Sequence, residues 1–425
     1  MEILLPFGKK GMPLSLADEL DVEILESGIA SMKAPAMTED EIIKKAMEAP
    51  IGSKSLRELS VGKEKVVVIC SDHTRPVPSK HIIPFMLREI REGNPDADIT
   101  LLIATGFHRE STREEMVFKF GEEIVDHEKI VIHDSRDFSM MKEIGVLPSS
   151  APLLINKLAA EADLLVSEGF IETHFFAGFS GGRKSVLPGV SSQKTVFANH
   201  CSAFIDSPFA RTGILEGNPI HKDMVAAAEL AGLSYIVNVV IDSDKHVVHA
   251  VAGDPVLAHQ AGCDFLRAYC QVTPKDKADI AISTNGGYPL DQNMYQSVKG
   301  MTAAESACKE DGIIIMVSEC SNGHGGEGFY ETLKNAVSPR ALMEEILQVP
   351  QSQTKPDQWE YQIQARILMK HKVIYVMGEA YRKMAEEMGF VTAKDVNEAL
   401  MMALKEKGAG AHISVIPDGV SIMVK

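Results

Sequence analysis

Short runs of β-branched and aliphatic residues alternate with helical patterns along most of the chain, which is the signature of βα units around a largely parallel sheet. Residues 66–70 form a strand-sized apolar run. Ile82, Ile83, Met86, Leu87 and Ile90 then recur at helical spacing until Gly93 offers a stop. Residues 99–104, 129–133 and 164–167 read as further strands, with a Glu- and Arg-rich stretch after the first of these and a helical stretch around 153–160. Residues 235–241 and 246–251 flank Asp242-Ser243-Asp244-Lys245 and predict an antiparallel hairpin.

The polar, proline-bearing segment 271–277 precedes a fresh strand at 279–283 and marks a domain boundary. Strands at 312–317 and 373–377, with helices around 339–347 and 393–405, make the second half another α/β domain. The expected fold is therefore two α/β domains with mostly parallel sheets, residues 1–271 and 272–409. The active-site cleft is expected between them, as small-ligand sites often are. A tail, 410–425, carries two short strands about Pro417-Asp418-Gly419. Its pairing within its own half and its return to the first domain are both open.

Composition narrows the function classes. With 45% hydrophobic and 24% charged residues, the 425-residue chain has the balance of a globular protein. Its 43 Lys and Arg against 59 Asp and Glu leave a net charge of −16, which disfavours nucleic acid and anionic membranes as partners. A small anionic substrate then needs a local cluster of Arg and Lys. The apolar runs fall far short of the roughly 20 residues that span a bilayer, and the first ten residues lack a signal-peptide pattern. Six cysteines at 70, 201, 263, 270, 308 and 320 contain no CxxC, so reduced thiols and a cytoplasmic location are expected.

In an open parallel sheet, ligands bind beyond the carboxyl ends of the strands. Three polar sequences occupy that position. The first strand leads into Ser71-Asp72-His73-Thr74-Arg75-Pro76-Val77-Pro78, where Arg75 is suited to a bidentate grip on an anion, or to simple pairing with Asp72. The second leads into Thr105-Gly106-Phe107-His108-Arg109-Glu110. The fourth leads into Glu172-Thr173-His174 and then Gly178-Phe179-Ser180-Gly181-Gly182-Arg183-Lys184-Ser185. A lone histidine after a strand is usually a hydrogen-bonded loop residue; two histidines with Arg and Lys at one sheet edge suggest proton transfer on both faces of a substrate.

The glycine-rich stretch nearly satisfies a phosphate-binding P-loop, but Arg183 stands where that motif requires glycine before Lys-Ser. The amides of Ser180, Gly181 and Gly182 could still form an anion-binding nest, and a flexible surface loop is an equally good reading of the spacing. His174 and His200 lie 26 residues apart without an HExxH pairing, so a zinc hydrolase is not indicated. A helix starting near Ser191 or Ser192 would end at Asn199-His200.

Taken together, these motifs resemble the nickel-pincer-nucleotide lactate racemase family, in order and spacing, over nearly the whole chain. The resemblance implies a cofactor, pyridinium-3-thioamide-5-thiocarboxylate mononucleotide with nickel, covalently attached to Lys184 and contacted by Asp72, Ser180, Gly181 and Gly182. It implies His200 as the metal ligand and His108 and His174 as paired acid/base residues that racemise a small 2-hydroxy acid, most simply lactate, by hydride transfer through a 2-oxo acid. Arg75, Gln296 and Lys299 would bind the substrate, with Tyr295 and Trp359 as pocket walls, and His73, Phe175, Phe176 and Leu290 would select its side chain. Cofactor-assembly enzymes would be partners. A racemase or epimerase of another 2-hydroxy acid is the nearest alternative; a nucleotide-dependent kinase or ATPase, or a small-carboxylate binding protein, are alternatives of other classes.

Overall fold

Two six-stranded sheets organise the chain. The computed structural model describes residues 1–32 and 36–425, which divide into two compact units. The N-terminal unit comprises Ala30–His200 and Ser207–Ala268; the C-terminal unit comprises Tyr269–Lys425 together with Met1–Ile29 and Cys201–Asp206.

In the N-terminal unit the strands lie in the order Val247–Gly253, Leu233–Ile241, Leu164–Phe170, Lys65–Ser71, Asp98–Ala104, Lys129–Ile132. All neighbours are parallel except the edge pair Leu233–Ile241 and Val247–Gly253, the hairpin predicted from the turn residues between them. Val66, Val68 and Cys70 pack with Ile82, Ile83, Met86 and Ile90 of the helix Ser79–Gly93. Val67 and Ile69, on the other face, are buried as well. Covering on both faces is why this strand is continuously apolar. The chain builds outward from Lys65–Ser71 in one direction, then returns to place Leu164–Phe170 on its other side. That reversal opens a crevice at the carboxyl ends of these two strands, where the candidate loops begin.

The stretch 153–160 is not the expected helix. Leu153 and Ile155 are fully buried while Pro152 and Leu154 are half-buried, a period of two, and Pro152–Asn156 is a strand antiparallel to Met141–Val146. Only Lys157–Ala160 is helical, capped by the Asn156 side chain.

The C-terminal unit holds an all-parallel sheet in the order Val391–Ala393, Lys372–Val376, Cys308–Val317, Ala278–Thr284, His412–Ile416, Asp21–Ile24. The tail thus pairs within its own unit and does not return to the first; its last strand, Met423–Val424, runs beside Gln271–Val272. The first 29 residues, placed with the N-terminal half by sequence, also belong here. Glu2–Phe7 and Lys10–Ser15 form a hairpin that buries Leu5 and Leu14 against Ile280, Ile282 and Val415. No helix among the described residues is long and apolar enough to cross a membrane. All six cysteines are buried, and none forms a disulfide.

Candidate active site

The loop after Lys65–Ser71 is organised by Asp72, which is 1% exposed. Its Oδ1 accepts from the Thr74 amide (3.1 Å) and hydroxyl (2.7 Å), a local turn that aspartate favours. Its Oδ2 lies 2.6 Å from His108 Nδ1, which also has the Thr74 hydroxyl at 3.2 Å. Burial opposes ionisation of Asp72, but the hydrogen bond and charge of His108, with Thr74 and Arg75, outweigh it and hold the carboxyl below its ordinary value. An ionised Asp72 fixes the proton of His108 on Nδ1 and leaves Nε2, on a ring that is 40% exposed, as the free basic nitrogen. Asp72, assigned to the cofactor by resemblance, has both oxygens engaged by Thr74 and His108. Its direct action is on the histidine.

Two buried groups missed in the sequence hold this loop. Lys119 Nζ donates to the Arg75 carbonyl (3.0 Å) and the Val77 carbonyl (3.3 Å). Glu168 Oε1 accepts from the Ser71 amide and hydroxyl, both at 2.7 Å, and from Ser79 Oγ at 3.1 Å. Neither belongs to a recognisable motif, and a Lys in an exposed-looking helix carries no signal of burial. Arg75 itself is exposed and, among the described residues, has no carboxylate within ion-pair distance. It does not pair with Asp72 and is available to an anion.

His174 sits on the short strand Thr173–His174, paired with Gly178–Phe179. The Ala177 amide donates to its Nδ1 at 3.3 Å, and its Nε2 lies 3.1 Å from Lys184 Nζ. Phe175 stacks on the His174 ring, with centroids 5.1 Å apart. Phe176 meets that ring edge-on at 4.5 Å, meets His200 at 5.1 Å, and has Lys184 Nζ 5.9 Å from its centroid, so one ring lies beside all three candidate groups. His200 ends the helix Gln193–Asn199, capped at its start by Ser192 as predicted. Burial, with the nearby Lys184 charge, pushes its pKa down to about 3.

The anion-binding nest is not formed. The Ser180 amide donates to the Glu172 carbonyl at 2.9 Å, and the Gly182 amide to Asn238 Oδ1 at 2.7 Å. The Ser180 hydroxyl is turned to the Phe170 carbonyl at 3.1 Å. Gly181 has φ +76°, and a Cβ there would come within 2.8 Å of the Phe170 carbonyl; close packing of the loop on its sheet requires the glycine. Arg183, the residue that breaks the P-loop pattern, is buried under this loop and donates to the carbonyls of Ala177 (2.8 Å), Ser180 (3.3 Å) and Gly181 (3.2 Å). With its amides turned inward and a guanidinium beneath it, the loop offers no phosphate cradle, and the kinase reading loses its site.

In the C-terminal unit, Tyr295, Gln296 and Lys299 lie in the first turns of the helix Met294–Ala307, capped by Asn293. Trp359 begins the neighbouring helix Gln358–Leu368 and donates from Nε1 to Tyr295 Oη at 3.1 Å. Burial raises the Glu360 carboxyl to about 8 against the opposing pull of Lys299. Leu290 is 36% exposed, and His73 is held by Ser111 at 2.9 Å.

His200 and Lys184 fit the implied cofactor. A buried imidazole kept neutral by its surroundings can ligate nickel without first losing a proton, and His200 is such a group, its pKa depressed by burial and by the nearby charge of Lys184.

Burial of neutral histidines also predicts acid lability. Burial lowers His200 and His221 to about 3 each. The unfolded chain protonates both near pH 6.5 and the folded chain does not, so this stability is fully present above that pH and is lost as pH falls towards 3. Urea unfolding of the unmodified protein should show a decrease of at least about 4 kcal/mol between pH 7 and pH 5, of which about 2 kcal/mol should be missing in His200→Asn. A flat profile across that window would contradict neutral burial.

The family models described as the lactate racemase N-terminal and C-terminal domains match residues 7–213 and 273–424. The chain belongs to the lactate racemase family. It is 53% identical over 423 residues to the lactate racemase of Thermoanaerobacterium thermosaccharolyticum, covering 100% of this chain and 99% of that protein. It is 52% identical over 421 residues to that of Lactiplantibacillus plantarum, covering 99% of each. The solved structure of the Thermoanaerobacterium lactate racemase apoprotein superposes over 100% of both chains with a TM-score of 0.96 at 52% identity. A Thermotoga maritima protein of 17% identity, with a TM-score of 0.65 over 93% of this chain and 100% of its own, shares the fold. Family membership makes the protein an isomerase of the racemase type.

Proposed function

We propose that the protein interconverts D- and L-lactate through the planar 2-oxo acid, with a nickel-pincer nucleotide attached to Lys184 and ligated by His200. One arrangement carries the reading: two histidines, each with Nδ1 already engaged, present Nε2 for proton transfer, one set by Asp72 and the other 3.1 Å from Lys184. The cofactor, when bound, supplies the acceptor for the substrate's α-hydrogen as hydride.

The chain's own groups do the rest. His108 Nε2 and His174 Nε2 remove and return the hydroxyl proton on opposite faces of the substrate carbon, one for each enantiomer. Asp72 stabilises the imidazolium that His108 becomes. The exposed guanidinium of Arg75 takes the substrate carboxylate. In the C-terminal unit, the family resemblance assigns Gln296 and Lys299 to carboxylate and cofactor contacts, and Tyr295 and Trp359 to the pocket wall. The buried phenyl rings of Phe175 and Phe176 favour a methyl substituent, and the engaged ring of His73 gives no opening for a polar one. The reading places the protein in the cytoplasm, served by cofactor-assembly enzymes.

Asp72→Asn should lower turnover by about 10²–10⁴-fold with a smaller change in KM, because an amide can hold His108 in the wrong tautomer. An unchanged turnover would remove Asp72 from the mechanism. The function itself is tested by a chiral assay of protein produced with cofactor-assembly enzymes across a panel of 2-hydroxy acids. Lactate should be racemised fastest. A faster longer-chain or polar substrate would reassign the specificity, and inactivity on all of them would overturn the reading.

A further inference from the structure

The helix Arg113–Phe120 is turned against its own hydrophobicity. Near its end Phe118 is 89% exposed, while the neighbouring Lys119 is 7% exposed. Burial works against the Lys119 charge, and the carboxylates of Glu168 and Asp72 pull the other way. A chain that turns an ammonium inward and a phenyl ring outward forgoes apolar burial, and such departures from local preference concentrate at functional positions. What the lysine reaches is the middle of the loop 72–78. Its Nζ donates to the carbonyls of Arg75 (3.0 Å) and Val77 (3.3 Å). Glu168 fastens the two ends of the same loop through Ser71 and Ser79. Lys119 therefore acts at the residue proposed to hold the substrate carboxylate.

The first turn of the helix grips the loop that carries His108. Both guanidinium nitrogens Nη1 and Nη2 of Arg109, which directly follows His108, donate to the two carboxylate oxygens of Glu115. Glu115 Oε2 also accepts from the Thr112 amide at 2.8 Å, completing the capping box that starts the helix. At the far end Phe120 is buried in one apolar cluster with Val77, Ile82 and Ile83, which seats the helix on the core. The two loops already meet where His108 Nδ1 lies 2.6 Å from Asp72 Oδ2. One contact leaves a hinge; the helix supplies the second tie that removes it.

We propose that the helix Arg113–Phe120 is a spacer that fixes Arg75 relative to His108, with Lys119 and Arg109 as positioning residues that match the two loops to a substrate whose carboxylate and hydroxyl sit on adjacent carbons. The proposal rests on the reading of Arg75 as the carboxylate grip and His108 as an acid/base group. The two ends of the helix then have opposite kinetic signatures. Lys119 acts through a group that holds the carboxylate in ground and transition state alike, so its loss appears in KM. Arg109 acts through the group that moves the proton, so its loss appears in kcat.

The test is steady-state racemisation of lactate by cofactor-loaded protein, with rates normalised to the adduct measured by intact mass. Lys119→Met, which keeps the stem and loses the donors, should raise KM by about tenfold or more with little change in kcat. Arg75→Ala should raise KM by itself, and adding Lys119→Met to it should raise KM no further, because no guanidinium is left to misplace. A lysine that served the fold alone would show the same effect in both backgrounds. Arg109→Gln alters an exposed side chain and should give the reverse split, a several-fold lower kcat at unchanged KM; it decides the matter if Lys119→Met does not melt cooperatively. Wild-type KM in folded Lys119→Met, an equal rise in KM with and without Arg75, or wild-type kcat in Arg109→Gln would each overturn the proposal. An unchanged KM in Arg75→Ala would instead overturn the assignment of Arg75 on which it rests.

Discussion

Lys184→Ala, produced with cofactor-assembly enzymes, is expected to carry no covalent adduct by intact mass and to show racemisation at background, a loss of about 10⁶-fold or more given the accelerations enzymes ordinarily provide. The reason is local. Lys184 Nζ is 3.1 Å from one proposed acid/base group and depresses the pKa of the proposed metal ligand. Lys184→Arg preserves the positive charge but replaces the amine with a far weaker nucleophile, so it should be equally inactive. Full activity in either variant without an adduct would show that the residue is not the anchor.

The second large effect concerns the histidines. His108→Ala and His174→Ala should each lower racemisation by about 10²–10⁴-fold, the usual contribution of a positioned acid or base. Nickel should stay bound in both once the adduct has formed, since the metal ligand is His200. Loss of nickel from both fully modified variants would move them to the metal site.

Residue type and position at strand ends made much of the site legible. Asp72, His108, His174 and Lys184 could be placed beyond the carboxyl edge of one sheet, because buried parallel strands announce themselves as apolar runs. Pairings were less legible. The Asp72–His108 contact joins residues 36 positions apart and depends on the Thr74 turn, which no spacing rule contains. The glycines stayed ambiguous because glycine is equally suited to cradling an anion and to packing a loop on a sheet. Which applies at Gly181 and Gly182 is decided by Asn238 and the Phe170 carbonyl, from distant strands. Arg183 broke a motif visibly, but the five polar groups around it come from three separate parts of the fold. Asp21–Ile24 escaped notice for a similar reason: four half-polar residues become a strand only beside His412–Ile416.

The central claim is that the α-hydrogen moves as hydride and returns to the same carbon, while the two histidines handle only the hydroxyl proton. Cofactor-loaded protein should be given L-lactate deuterated at C2 in ordinary water, and the D-lactate formed should be analysed for label. Retention of deuterium at C2 is the result this account predicts. Its replacement by solvent hydrogen in step with racemisation would mean that His108 and His174 abstract the α-proton themselves, and would contradict it.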